Sequence, residues 1–333
     1  MRLRFGLVAV ALAPFGGAAC LPTDTRTPPA SIFLMVTSAD EPLVTTADGW
    51  SIVVDGLILG IGVAGLLTPA FVNRSCNSYS EGPRYSRLLD ARLPTDQKVS
   101  TLFGLGRCHL TFAITPPSDD TLLGENVSQA DKDRMAGRAL ADGRRAAGMA
   151  IDFAATATRG PETKQVHWQL RQGRGFTCSR TVEGVPSQPI ELESEANLPF
   201  HIGIRGAALF ADSAGPTATL RFDSIAAADT DHGNGDGEIT LDEVGKVTLD
   251  VARRYGPYDS ASIPGAPVVP TFPGSASLED YIYRDLLPTL VSMREHVTCT
   301  AGFFPPLRPG DASVTDTSPD EGDASVDEGG AEE

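Results

Sequence analysis

A chain of 333 residues that is 41% hydrophobic is long enough to bury a sizeable core, and its 43 acidic against 27 basic side chains leave a formal charge of −16. That balance argues against a nucleic-acid partner, because phosphate binding rests on Lys and Arg. Nine of the acids and no base lie from residue 309 onward; with these and the arginines of the first 19 residues set aside, residues 20–308 carry −9.

The N-terminus, MRLRFGLVAVALAPFGGAAC, opens with Arg2 and Arg4, continues as an apolar run from Phe5 to Phe15 and ends in small residues before Cys20. This is the layout of a secretory signal, and the run is shorter than the about 20 residues a spanning helix needs. Small residues directly before a cysteine resemble a bacterial lipoprotein signal. The resemblance implies that residues 1–19 are removed and that Cys20 carries a lipid. Gly17 stands where that pattern has a leucine-like residue, and cleavage by the ordinary signal peptidase is the alternative. The expected location is the cell envelope, or outside the cell, with membrane contact only through the lipid on Cys20. Residues 20–30, rich in Pro and Thr, read as a tether.

Cys76, Cys108, Cys178 and Cys299 remain, an even number that suits disulfides in an exported chain. Four cysteines allow three connectivities, and the sequence does not choose among them. Cys76–Cys108 and Cys178–Cys299 would each close a plausible span. The opposing use is a reactive thiol at Cys108, beside His109.

Residues 31–306 read as a mainly β domain. Trp50, Ile52 and Val54 fall on one side of a strand, as do Cys108, Leu110, Phe112 and Ile114, with His109, Thr111 and Thr115 opposite. Val166, Trp168 and Leu170 repeat the pattern, then Phe200, Ile202 and Ile204, then Ala218, Leu220 and Phe222. Period-two alternation marks strands with one buried face, and several of them without long intervening helices predict an antiparallel, sandwich-like fold. The apolar stretch 56–72 is of marginal length for a membrane span and holds four glycines and a proline; a buried strand followed by a loop accounts for it. Two or three helices are expected: one capped by Ser128, one from Leu241 to Tyr255, and one capped by Ser277 that Pro288 should kink or split. The acidic, low-complexity tail 307–333 is expected to be disordered.

Residues 229–244, DTDHGNGDGEITLDEV, set Asp229, Asp231, Asn234, Asp236 and Glu243 among glycines. They resemble the loop of an EF-hand, which offers Ca2+ oxygens from positions one, three, five, seven, nine and twelve. With Glu243 at position twelve, Thr240 falls at nine, Glu238 at seven through its carbonyl, Gly237 at the sharp turn of six, and Asp236 and Asn234 at five and three. Position one becomes His232, a poor calcium ligand. Asp231 or Asp229 would replace it if Gly233 and Gly235 let the loop bulge. The competing reading is a solvated turn whose Asn, Asp and Gly serve the backbone. Ile239 and the helix from Leu241 supply the outgoing half, whereas FDSIAAA leaves room for about one turn of incoming helix. The resemblance implies a single structural calcium hand inserted at 229–256.

The chain carries no HExxH, GxSxG, CxxC or P-loop motif. His109, His167 and His201 face away from the apolar sides of their strands and would converge on zinc or copper if those strands were neighbours. No spacing singles out a catalytic pair among Asp55, Asp90 and Asp152. As a whole the chain resembles secreted bacterial lipoproteins of unknown function with one EF-hand-like loop, a resemblance that transfers no catalytic residue. Two expectations follow. One is a non-enzymatic cell-envelope lipoprotein whose calcium-binding β domain binds or assembles with an envelope or extracellular partner. The other is an extracellular hydrolase of glycans with calcium in a structural role.

Overall fold

The computed structural model describes residues 27–69, 76–79, 86–137, 148–182, 185–214, 218–256, 258, 277–293 and 297–302. Residues 1–26, which hold the expected signal, Cys20 and most of the expected tether, lie outside the described residues, as do the acidic tail and the C-terminal part of the helix expected after Ser128.

The chain opens with β1 (Ala30–Ser38), β2 (Val44–Thr45), β3 (Ser51–Leu67), β4 (Cys76–Ser78), β5 (Arg87–Asp90), β6 (Gln97–Ile114) and β7 (Leu122–Leu123), then the short helix α1 (Gln129–Met135). Six strands follow: β8 (Ile151–Arg159), β9 (Glu162–Leu170), β10 (Arg174–Val182), β11 (Val185–Gln188), β12 (Ile190–Leu192) and β13 (Asn197–Ile204). The remainder comprises α2 (Asp223–His232), β14 (Glu238–Thr240), α3 (Leu241–Lys246), α4 (Leu249–Ala252), α5 (Leu278–Tyr281), β15 (Val291–Met293) and β16 (Val297–Gly302).

The fold is mainly β, a curled mixed sheet whose main path runs β14-β9-β8-β3-β6-β1-β13-β15. Among the described residues most ladders are antiparallel, and three are parallel: β1 with β13, β5 with β7, and β9 with β14. The long strands β3 and β6 join the parts of the sheet. β6 pairs with β1 through Gln97–Gly104 and with β3 and β10 through its last residues. The apolar stretch from residue 56 is the second half of β3. Asp55 is an extra residue in the ladder to β8, between Val54 and Gly56. Such a bulge shifts the side-chain phase by one. Leu57, Leu59 and Ile61 therefore join Trp50 and Ile52 in the core although their spacing is out of step. The core centres on aromatic contacts: Phe210 lies 5.7 Å from Phe153, 5.8 Å from Trp168 and 5.6 Å from Phe222, and Phe222 lies 5.0 Å from Trp50, centroid to centroid.

Two disulfides staple the sheet. Cys76–Cys108 ties β4 to β6, and Cys178–Cys299 joins directly paired residues of β10 and β16. A thiol role for Cys108 is thereby overturned, since its sulfur is bonded and buried.

The helices are shorter than their periodicity suggests. Ser128 does cap α1, through a capping box with Asp131. The helix expected from 241 to 255 breaks at Val247, whose carbonyl accepts Leu278 N–H at 2.8 Å while Thr248 bridges Ser277 and caps α4. After Ser277 the chain makes α5, a π turn and a 3-10 turn holding Pro288. It then turns to strand, because β15 can complete the edge of β13 through Ile202–Met293. Residues 218–222 contribute a lone bridge at Leu220 to Ala211 where a strand is expected.

Candidate metal centre

The acidic loop joins α2 to β14 and α3. α2 is ten residues long, not the single turn expected. Its alanines favour helix, and a distant carboxylate starts it: Asp48 Oδ2 accepts Phe222 N–H at 2.7 Å and Asp223 N–H at 2.8 Å. At its other end the Asp229 carbonyl accepts both Gly233 and Gly235 N–H. Gly235 and Gly237 have φ of 72° and 90°, a region that favours glycine. β14 then lies parallel on β9, with Ile239 opposite Val166 and fully buried. The apolar residue expected at position eight thus docks on the sheet edge.

The ligand candidates are not used alike. Asp229 is wholly buried, and its Oδ2 accepts Gly237 N–H at 3.1 Å, across the loop. Glu243 is also buried: Oε1 accepts Asn234 N–H at 3.3 Å, and Oε2 accepts Thr240 N–H at 2.9 Å and its hydroxyl at 3.1 Å, completing the capping box of α3. Asp229 and Glu243 therefore face the loop backbone from opposite ends. Asn234 and Asp236 bond one another at the exposed tip, Nδ2 to Oδ2 at 2.8 Å. Glu238 N–H, donated to Asp236 Oδ1 at 2.9 Å, and then the Asn234 amide hold the Asp236 carboxyl below its ordinary pKa. Glu238 points its side chain to solvent. Asp231 is turned outward, with Tyr255 OH donating to its Oδ2 at 3.4 Å. Of the two stand-ins for His232, Asp229 is the one that enters the loop.

One participant was missed by reading the sequence alone. Lys164 Nζ donates to Asp229 Oδ2 at 2.6 Å, and its side chain is buried. Lys164 precedes Val166, Trp168 and Leu170 in the same inward phase of β9. A lysine in a core phase requires a buried anion, and that signal is legible two residues before Val166.

Calcium takes hard oxygens, and the donor set fits it in kind. It also leaves a vacant acceptor: Asp229 Oδ1 is buried without a hydrogen-bond partner among the described residues. The side chains do not already converge, because no group of three or more His, Cys, Asp or Glu among the described residues is gathered for a metal. Their own hydrogen bonds and Lys164 hold them in place.

The histidines do not meet. His109, His167 and His201 stand on β6, β9 and β13, with β8 and β3 between the first two and β1 between His109 and His201. Each has its own partner: Ser179 Oγ at 2.9 Å, Asp152 at 3.3 Å and Asp96 at 3.2 Å. Burial pushes the His109 pKa down. Asp90 is held by Arg92 at 2.8 Å and Asp152 by Arg134 at 2.7 Å. An open groove of about 470 Å³ between β3, β6, β10 and β16 is lined by Val63, Leu66, Phe112 and Phe176 among others, with no acid among the described residues that line it.

Comparison with models of protein families, with curated proteins and with solved structures returned no match.

Proposed function

We propose that this chain is an exported cell-envelope lipoprotein, anchored by a lipid on Cys20, that works by binding or assembly rather than by catalysis. Its loop 229–243 takes calcium in a structural role. The observation that carries the calcium reading is the buried Asp229 Oδ1, which lacks a partner beside a loop of oxygen donors. Asp229, Asn234, Asp236, the carbonyl of Glu238, Thr240 and Glu243 would hold the ion. The ion would supply positive charge where α2, β14 and α3 meet and so lock the insertion to the sheet.

A non-catalytic role is supported by how the polar side chains are used. Asp48, Thr240, Glu243 and Thr248 satisfy helix termini, Asp90 and Asp152 are neutralised by arginines, and the groove is apolar in character. Such a groove suits an apolar segment of an envelope or extracellular partner.

Calcium titration of the mature protein, followed by calorimetry and thermal unfolding, tests the reading. Extracellular calcium modules work at about 10⁻⁴ to 10⁻³ M. Calcium at about a hundredfold above such a Kd should raise the unfolding temperature by about 5 °C. Glu243→Gln keeps the capping box, since glutamine also serves there, and should abolish the calcium response. A wild type that shows neither heat of binding nor a raised unfolding temperature at that calcium excess refutes the site.

A further inference from the structure

The buried lysine has a place in the calcium reading that the loop sequence does not disclose. Lys164 comes from the sheet, not from the loop, and places an ammonium 2.6 Å from the one loop carboxylate that is wholly buried. The ion pair leaves Asp229 Oδ1 without a partner, so the lysine satisfies half of the carboxylate. A cation close enough to bind Asp229 in the loop would feel the full repulsion of a buried ammonium.

We propose that Lys164 is a built-in counter-cation of the loop that competes with calcium for Asp229 and sets the affinity of the site. This rests on the calcium reading above. Calcium on Asp229 Oδ1 would stand close to the ammonium held on Oδ2, so each binding event must either displace Lys164 or bear its repulsion. The lysine also gives the buried Asp229 a partner of opposite sign before any metal arrives. The loop then folds without calcium and answers to it only where the ion is abundant, as outside the cell.

The test compares the mature wild type with Lys164→Met, Lys164→Gln and the double variant Lys164→Met with Asp229→Asn, each titrated with calcium chloride by calorimetry and by thermal unfolding. Lys164→Met should bind calcium about tenfold or more tightly than wild type, and its unfolding temperature should drop without calcium and recover with it. The double variant should lose the gain. Lys164→Gln, which can still donate to Asp229, is read if Lys164→Met does not fold, and should shift affinity in the same direction.

If the single variants bind no more tightly than a calcium-binding wild type, the lysine is no competitor, while the calcium site stands. If wild type ignores calcium and Lys164→Met binds it, the competition stands and the calcium reading of the natural chain falls. If none binds, both fall. A gain that survives in the double variant also overturns the proposal, because it would not act through Asp229.

Discussion

The sheet and the segment from Phe222 to Tyr258 are built from the same chain by opposite means. Strands β3, β6, β8 and β9 meet through fully buried Ile52, Leu59, Phe112, Phe153 and Trp168, and two disulfides fasten the edges. Helices α2, α3 and α4 bury small or aliphatic residues such as Ala228, Val244 and Ala252, but their ends are fixed by Asp48, Thr240 with Glu243, and Thr248. The two are joined at one end by Asp48, Trp50 and Arg159, which hold Phe222 and Asp223, and at the other by the Lys164–Asp229 pair with three residues of parallel ladder. Apolar burial is non-directional and largely indifferent to ions, whereas caps and ion pairs depend on charge state and geometry. The sheet should therefore act as a rigid base and the insertion as the part that responds to its surroundings.

The largest break in that comparison is on the sheet side. Cys178–Cys299 spans 121 residues and Cys76–Cys108 spans 32. Loop entropy alone makes these worth about 5 and about 4 kcal/mol. Replacing Cys178 and Cys299 together by alanine should lower the denaturant midpoint more than replacing Cys76 and Cys108. An equal or inverse ranking would mean that strain or residual structure outweighs loop length. On the insertion side, Asp229→Ala strands a buried ammonium, at a cost of about 3–5 kcal/mol. Hydrogen exchange should show that loss first at Gly237, Ile239 and the amides of α2, while amides of β3 and β6 stay protected. Uniform loosening would refute the division into base and insertion.

The parts legible in the sequence were those with strict local periodicity. The inward faces at Cys108–Ile114, Val166–Leu170 and Phe200–Ile204 are buried as their alternation requires, and Ser128 and Ser277 cap the helices they precede. What escaped depends on distant partners. The phase change at Asp55 requires the β8 ladder, the break at Val247 requires Leu278, and the ten residues of α2 require Asp48. The parallel ladder of β1 with β13 joins strands with most of the sheet between them in sequence. In the loop, the types and spacing of Asp229, Asn234, Asp236 and Glu243 were readable. Which carboxylate turns inward was not, because Lys164 on β9 decides it.

Acid offers the finest test, since the two regions carry carboxylates shifted in opposite senses from the same ordinary value of 3.8. Burial raises Asp40, which accepts Ala207 N–H at 3.1 Å beside the sheet, outweighing that hydrogen bond. Its folded form holds its proton more tightly than the unfolded chain, so its contribution is greatest below 3.8 and is lost as pH rises through the folded value. Asp236 in the loop is lowered, chiefly by Glu238 N–H. Its contribution is present above 3.8 and is lost as pH falls through the folded value. Unfolding temperatures measured from neutral pH to well below 3.8 should show the advantage of wild type over Asp236→Asn shrinking as pH falls below 3.8. The corresponding disadvantage against Asp40→Asn should shrink earlier, as pH falls from the raised Asp40 value to 3.8. Asp236 is exposed, so its effect should be the smaller and should fade with added salt. Two differences that moved in the same direction would show that burial at Asp40 does not outweigh its backbone hydrogen bonds, and acid would then weaken base and insertion together.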